Sequence, residues 1–437
     1  MLENSLPMLF SQEILILTRT QPQAYDGDMT KKRKSGNDSA PRQGGIGPVV
    51  LIAGGVLFTV AILYAFGAFS FLEGNGRDAR EEVPASSYEP ESEWLKRAYA
   101  IDELFHKVYT AGWEGANGAI GDAHLFAVTG DSALYRFHLQ EHPMRDLFNG
   151  TWVDDRAWAA LAEMYWWDFL GRNRDDLVES AEIRYVEAKM QGRLSAHEGY
   201  WSWYNWPPQS EVRDQIFTNS NMNQMVTVAC WLYEATGKRE YLDDALKVWN
   251  GDGETPGIEQ TLYKGDGRWE GARGPAAFGK QLPWEGASYC SIGAALYRLT
   301  KDEKYRDIAV ATARRIMDPE TGWVDPEHFY QLRMDGNGAF VNFILDAYMI
   351  APDELPDIPT RVERMLEHVW TNHFGKARVM LHRSADHGIR NGWNPNGGED
   401  GYGVDEVGTV HPQSQAVRAF GVFCYVLDRY VNKNAER

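Results

Sequence analysis

Apolar residues recur at helical spacing from Ser92 to about residue 432, and the runs are of two kinds. One kind is apolar on nearly every side, as in Val226-Thr-Val-Ala-Cys-Trp-Leu-Tyr233 and Ile292-Gly-Ala-Ala-Leu-Tyr297. The other is one-sided, as in Arg361-Val-Glu-Arg-Met-Leu-Glu-His-Val369. A helix that is apolar all round is buried all round, and a one-sided helix lies against it. The first kind is expected at 114–129, 154–170, 221–236, 285–300, 337–350 and 412–429. The second is expected at 93–110, 132–147, 174–190, 239–250, 303–317 and 358–372. Six and six, in alternation, predict an all-α domain over 92–432: an (α/α)6 barrel of six helix hairpins.

The turns between the two sets repeat. Leu125-Phe-Ala-Val-Thr-Gly-Asp131, Leu232-Tyr-Glu-Ala-Thr-Gly-Lys238 and Leu296-Tyr-Arg-Leu-Thr-Lys-Asp302 each close an apolar helix and open a new one. A glycine after the last apolar turn ends a helix because it adopts the left-handed conformation easily. Tyr241-Leu-Asp-Asp-Ala245 and Tyr305-Arg-Asp-Ile-Ala309 begin matching second helices. The repeat spacing is irregular, which suits a closed barrel with an elaborated rim better than an open solenoid.

Ahead of the helical part the pattern changes. Residues 1–47 are polar and basic, with Lys31-Lys-Arg-Lys34, and read as a disordered cytoplasmic segment; Met29 is an alternative start. Residues 48–72 read as one transmembrane helix. They carry no charge, and Val49 to Phe71 is long enough to cross ~30 Å of hydrocarbon. Basic residues on its N-terminal side place the N-terminus in the cytoplasm and the large domain in the periplasm or outside the cell. A cleaved signal peptide is the rival, but the apolar run is long for one. Residues 73–91 read as a linker.

Composition narrows the function. A net charge of −18 argues against nucleic acid as partner, because phosphate binding needs basic patches. The three cysteines fall in apolar runs without metal-ligand spacing and read as small buried residues. No cofactor and no metal centre are expected. The 16 tryptophans suit sugar stacking, although a large helical core accounts for about half of them.

One stretch stands out, Thr151-Trp-Val-Asp-Asp-Arg-Ala-Trp158, in which Asp154 and Asp155 stand side by side at the start of an apolar helix. Glycoside hydrolysis ordinarily takes two carboxyl groups, one to protonate the leaving oxygen and one to attack or to activate water. Mutual repulsion raises the proton affinity of one of an adjacent pair. A helix N-terminus acts in the other direction. Asp175-Asp176 and Asp243-Asp244 are also pairs, but capping of outer helices explains them. An aspartate-rich magnesium motif is a poor fit, since Arg156-Ala-Trp158 supplies no further carboxylates one turn on.

Sixteen residues back from each turn stands a polar residue: Glu114, Asp155, Asn221, Glu285, Asp335 (near Asn337) and Gln413. Sixteen residues of helix span ~24 Å, so these groups should share one end of the barrel. Helix starts favour polar residues anyway. Trp113, Trp152, Trp284 and the tryptophans Trp201 and Trp203 in the loop ahead of Asn221 strengthen the case for a carbohydrate cleft. Hydroxyls would meet the polar groups, and C–H faces would meet the rings.

These residues resemble glycoside hydrolase family 76, the α-1,6-mannanases and their fungal cell-wall relatives. The resemblance rests on Asp154-Asp-Arg-Ala-Trp-Ala-Ala-Leu-Ala162, on Ser220-Asn221 with Leu232-Tyr-Glu-Ala-Thr-Gly237 and Tyr241-Leu242, and on Gln413-Ser-Gln-Ala416. It implies an (α/α)6 barrel and a retaining mechanism with Asp154 as nucleophile and Asp155 as general acid/base. It implies an endo-α-1,6-mannanase acting on an oligo- or polysaccharide, to which the run 48–72 adds the membrane anchor. Pro283-Trp-Glu-Gly-Ala287 departs from the family's Tyr-Asn-Gln-Gly, replacing donors with an acceptor at a subsite wall. That leaves room for another α-linked glycan or for transglycosylation. A non-catalytic glycan-binding or cell-envelope protein is the alternative from a different class. A sugar epimerase is a third; it would rely on cleft histidines, and among His124, His197, His382, His387 and His411 only His411 stands at the start of an inner helix.

Overall fold

The repeated turns are built alike. Thr129, Thr236 and Thr300 each turn their hydroxyl back to the carbonyl four residues earlier, at 2.8, 2.6 and 2.8 Å. Each hydroxyl then accepts the backbone N–H two residues on, at 3.2 Å in all three. The residue between is left-handed: Gly130 at φ 66°, Gly237 at φ 69° and Lys301 at φ 58°. Asp131 and Asp302 then cap the following helix through Ala133 and Lys304 N–H. One threonine thus ends one helix and orients the next, which is why the same short string recurs.

In the computed structural model the described residues are 90–147, 153–191, 220–254, 256–269, 283–321, 337–371, 382–383, 389–391 and 410–432. They lie within one compact unit, 81–437. The expected N-terminal segment, transmembrane helix and most of the linker lie outside them. Among the described residues no helix is long and apolar enough to cross a membrane.

The helices are α1 Glu93–Val108, α2 Trp113–Thr129, α3 Ser132–Arg136, α4 Val153–Phe169, α5 Asp175–Gln191, α6 Ser220–Thr236 and α7 Arg239–Asn250. They continue with the short α8 Ile258–Leu262, then α9 Pro283–Thr300, α10 Glu303–Ile316, α11 Asn337–Ile350, α12 Ile358–Val369 and α13 Val410–Val426. The strands β1 His382–Arg383 and β2 Ile389–Asn391 form one small antiparallel pair.

Six helices, α2, α4, α6, α9, α11 and α13, pack each on the next, and α13 returns to α2. The ring is closed. Glycines make the seam between its ends: a Cβ on Gly121 would stand 2.5 Å from Val417 C, and one on Gly421 would stand 2.4 Å from Gly121 O. Inner helices are buried along their length, as α2 is continuously from Glu114 to Leu125. Outer helices bury one stripe, as α12 does with Ile358, Val362, Met365, Leu366 and Val369. The all-α (α/α)6 barrel is therefore as its hydrophobic pattern predicts.

One outer element departs from the expected helix over 132–147. The α-helix stops at Arg136 and continues as a π-helical turn, Phe137–Glu141. His142 leaves the helical region, and Pro143, which has no N–H, precedes a separate 3-10 turn, Met144–Asp146.

Candidate functional site

Because every hairpin turns the same way, the six inner helices begin at one end of the barrel. Asp154 and Asp155 are the second and third residues of α4, and Glu114 is the second of the adjacent α2. Glu114 is buried, with its Oε2 against Gly112, where a Cβ would come within 2.5 Å. Asp154 and Asp155 are half-buried.

Burial pushes the Asp155 carboxyl up to about 8, and the charges of Asp154 and Glu114 add to it. Arg156 pulls the other way but is engaged elsewhere, donating to Glu187 Oε2 at 2.8 Å. Burial also raises Glu114, partly offset by a backbone hydrogen bond. Poor solvation and like charge thus outweigh the helix-start effect that favours ionised carboxylates. The three carboxyl groups hold at least one proton among them at neutral pH.

Beneath the carboxylates lies a polar floor. Arg418 of α13 is fully buried and donates to Asn117 Oδ1 at 2.6 Å and to Asn342 Oδ1 at 2.7 and 3.0 Å. Its guanidinium lies over the rings of Trp158 and Phe343, 4.9 and 5.3 Å from their centroids. Burial lowers it to about 10, which leaves it charged at neutral pH. Four inner helices, α2, α4, α11 and α13, meet at this one cation. Trp158, three residues after Asp155, is therefore a core residue and not a cleft wall.

The other expected stations vary in how much the structure describes. Gln413 is fully buried in the first turns of α13, and Gln415 Oε1 accepts from Gly338 N at 2.9 Å, joining α13 to the start of α11. Asn221, Trp284 and Glu285 stand by their backbones in the first turns of α6 and α9. Trp113 opens α2 and is half-buried against the core. Trp152, Trp201, Trp203 and Asp335 lie outside the described residues.

Sequence reasoning passed over Asn117, Asn342 and Arg418, and also Gln224. Gln224, one turn into α6, is fully buried with no hydrogen bond at either end of its amide. The available signal was a polar residue inside an all-apolar run, most plainly Arg418 between Val417 and Ala419. His124, by contrast, is a core residue. Burial depresses it to about 3, and Nδ1 donates to Ile120 O at 2.7 Å.

No family model matches the chain, and no curated protein matches it. Solved structures do. The α-1,6-mannanase GH76A from a Salegentibacter species is 15% identical, with a TM-score of 0.52 over 76% of this chain and 99% of that one. An inactive variant of that mannanase, with two consecutive aspartates changed to alanine and α-1,6-mannotetrose bound, has a TM-score of 0.53 at 15% identity over 76% and 100%. A family 76 mannosidase from Bacteroides thetaiotaomicron has a TM-score of 0.55 at 14% identity over 78% and 100%. Dfg5 from Chaetomium thermophilum, in complex with glucosamine, has 0.52 at 13% over 79% and 93%. The chain has the six-hairpin barrel fold of glycoside hydrolase family 76.

Proposed function

We propose that this protein is a glycoside hydrolase that cleaves α-mannosidic linkages, of the α-1,6 type, with retention of configuration. The observation that carries the reading is the Asp155 carboxyl. Raised to about 8 beside a second carboxylate, it is an acid still protonated at neutral pH. That is what the leaving oxygen of a glycoside requires. The fold of family 76 supports the substrate class. The consecutive aspartates of the inactive Salegentibacter variant, solved with mannotetrose, support the choice of pair.

In this reading Asp154 attacks the anomeric carbon while Asp155 gives its proton to the departing oxygen. The C1–O bond breaks, and the sugar is held as an ester of Asp154. Asp155, now ionised, takes a proton from water, which attacks C1 and releases Asp154. Consecutive side chains leave a helix about 100° apart, which lets two neighbouring carboxylates serve one bond from different sides. Glu114 keeps Asp155 protonated through its charge. The Arg418 floor fixes the first turn of α4 from below through Trp158. Trp113, Asn221, Trp284, Glu285 and Gln413 are the proposed subsite residues from the other helix starts, with Trp152, Trp201, Trp203 and Asp335 beside them in the sequence reading. The uncharged run 49–71 adds a membrane tether, with the barrel outside the cytoplasm.

The test is turnover of linear α-1,6-mannan by wild type, Asp154→Asn and Asp155→Asn, with proton NMR of the first product. Each substitution is expected to lower kcat about 10²–10⁴-fold, and wild type is expected to release the α-anomer first. Unchanged turnover in either variant removes that residue from the mechanism. Binding of mannan without turnover by wild type points to a glycan-binding protein instead.

A further inference from the structure

Away from the barrel mouth, a second cluster of titratable groups is sealed between α1, α2 and the π-helical turn. Asp102 and His106 lie one turn apart on α1, Asp122 is on α2, and His138 is in the turn. Asp122 is one turn past Gly118, where a Cβ would press on the Phe105 ring of α1. The cluster therefore faces the outer helices and not the barrel interior. Asp122 Oδ2 stands 3.0 Å from His106 Nε2 and 2.5 Å from His138 Nε2. Asp102 Oδ1 lies 3.0 Å from the same His106 nitrogen. Asp122 and His138 have no exposed surface, and Asp102 has 4%. Among these buried atoms Asp102 Oδ1 and Asp122 Oδ1 make no hydrogen bond.

We propose that His106, His138 and Asp122, whose ligand atoms all lie within 4.8 Å of one another, form a structural site for one divalent transition-metal ion of the zinc class, with Asp102 beside His106. Two imidazoles and one carboxylate supply three of the four positions of a tetrahedral site, and imidazole nitrogen selects zinc over magnesium and calcium. The charges also balance: two carboxylates and two neutral rings neutralise one dication. Ligand atoms around a zinc with bonds near 2.0 Å stand about 3.3 Å apart. The observed 2.5–3.0 Å contacts open by about 0.3–0.8 Å to admit it. Aromatic rings already hold the imidazoles in place. His106 stacks on Phe137 at 3.6 Å and 13°, and His138 on Phe105 at 6.4 Å and 24°. The π-helical turn is the element that carries His138 to the cluster, and such turns occur often at functional sites.

The proton state without metal is the competitor for the same space. Burial, then the Asp122 charge, holds Asp102 well above the usual carboxylate range. For Asp122 burial acts upward, but the hydrogen bonds to His106 and His138 outweigh it and keep the group ionised. Burial keeps His138 neutral against the pull of Asp122. Entry of the metal takes the Nε2 lone pairs, so the ring protons that Asp122 now accepts move to Nδ1 while the proton of Asp102 goes to solvent, and affinity rises with pH.

The full chain, stripped with a chelator and dialysed against zinc or magnesium, tests this by elemental analysis and thermal unfolding. Wild type is expected to retain about one zinc per chain after removal of free metal, and no magnesium, with Tm raised by several degrees. His106→Gln, at the most exposed of the three ligands, and Asp122→Asn are expected to lose both effects. Zinc retained equally by wild type and His106→Gln overturns the proposal, as does a wild-type Tm that zinc leaves unchanged. Zinc content and Tm do not depend on glycosidase activity, so this test stands apart from that of Asp154 and Asp155.

Discussion

At the scale of single residues, the site turns on one proton. Asp155 acts as an acid only while protonated, and its carboxyl is raised to about 8 by burial, by Asp154 and by Glu114. Activity should fall as pH rises through about 8, with the pair titrating as a unit. Glu114→Gln removes one of the charges that keep the proton on. The alkaline limb of kcat/KM is then expected at lower pH, while activity near pH 5 is largely kept. A limb that does not move would show that Glu114 does not act on Asp155. The shift also bears on stability. The folded protein binds this proton more tightly than the unfolded chain, so the contribution is present in acid and lost as pH rises through about 8. The paired carboxylates were legible because both stand at the start of an apolar helix. Their environment was not, because burial by the neighbouring helices, and then the charge of Glu114 on another helix, exist only in the fold.

At the scale of elements, the hairpin turn is the repeating device, and one copy is imperfect. Lys301 takes φ 58° where Gly130 and Gly237 take 66° and 69°. A left-handed lysine costs about 1–2 kcal/mol, and glycine returns part of that in backbone entropy. The Lys301 ammonium also lies 5.6 Å from the Tyr297 ring, a minor gain at the surface. Lys301→Gly is therefore expected to stabilise the fold by about 0.5–1 kcal/mol, read as a rise in the denaturant midpoint at constant slope. No change would mean that the lysine's contacts offset its backbone strain. The turns were legible from sequence because Thr, Gly and Asp act within a few residues of one another. The π-helical turn at Phe137–Glu141 was not, since Pro143 marks only where the helix must have ended and not how it changed pitch before then.

At the scale of the whole molecule, closure is the decisive event. The last inner helix meets the first through Gly121 and Gly421, residues three hundred positions apart, with no room for a side chain at either. Closure sets Arg418 on Asn117 and Asn342 and so fixes the floor under the carboxylates. The proposed tether belongs to this scale as well. Cell fractionation is expected to find the full chain with the membrane, its barrel open to added protease in spheroplasts. A truncation beginning at residue 81 is expected to be soluble. Recovery of the full chain in the soluble fraction would refute the tether.

The sequence by itself determined the inner helices, most of the outer ones, the repeated turns and the placing of Glu114, Asp155, Asn221, Glu285 and Gln413 at helix starts. All of these depend on interactions within a few residues, and hydrophobic periodicity records them directly. It also placed Asp154 and Asp155 together, since neighbours in the chain need no fold to meet. Tertiary structure decided what had to be assembled from distant segments. It put Glu114 beside Asp155 and raised the proton affinity of that carboxyl. It made Trp158 the stacking partner of a buried arginine. It gathered Asp102, His106, Asp122 and His138, which the chain spreads over two helices and a turn, into one sealed cluster. Burial and charge are properties of the space around a group, and that space exists only once the ring has closed.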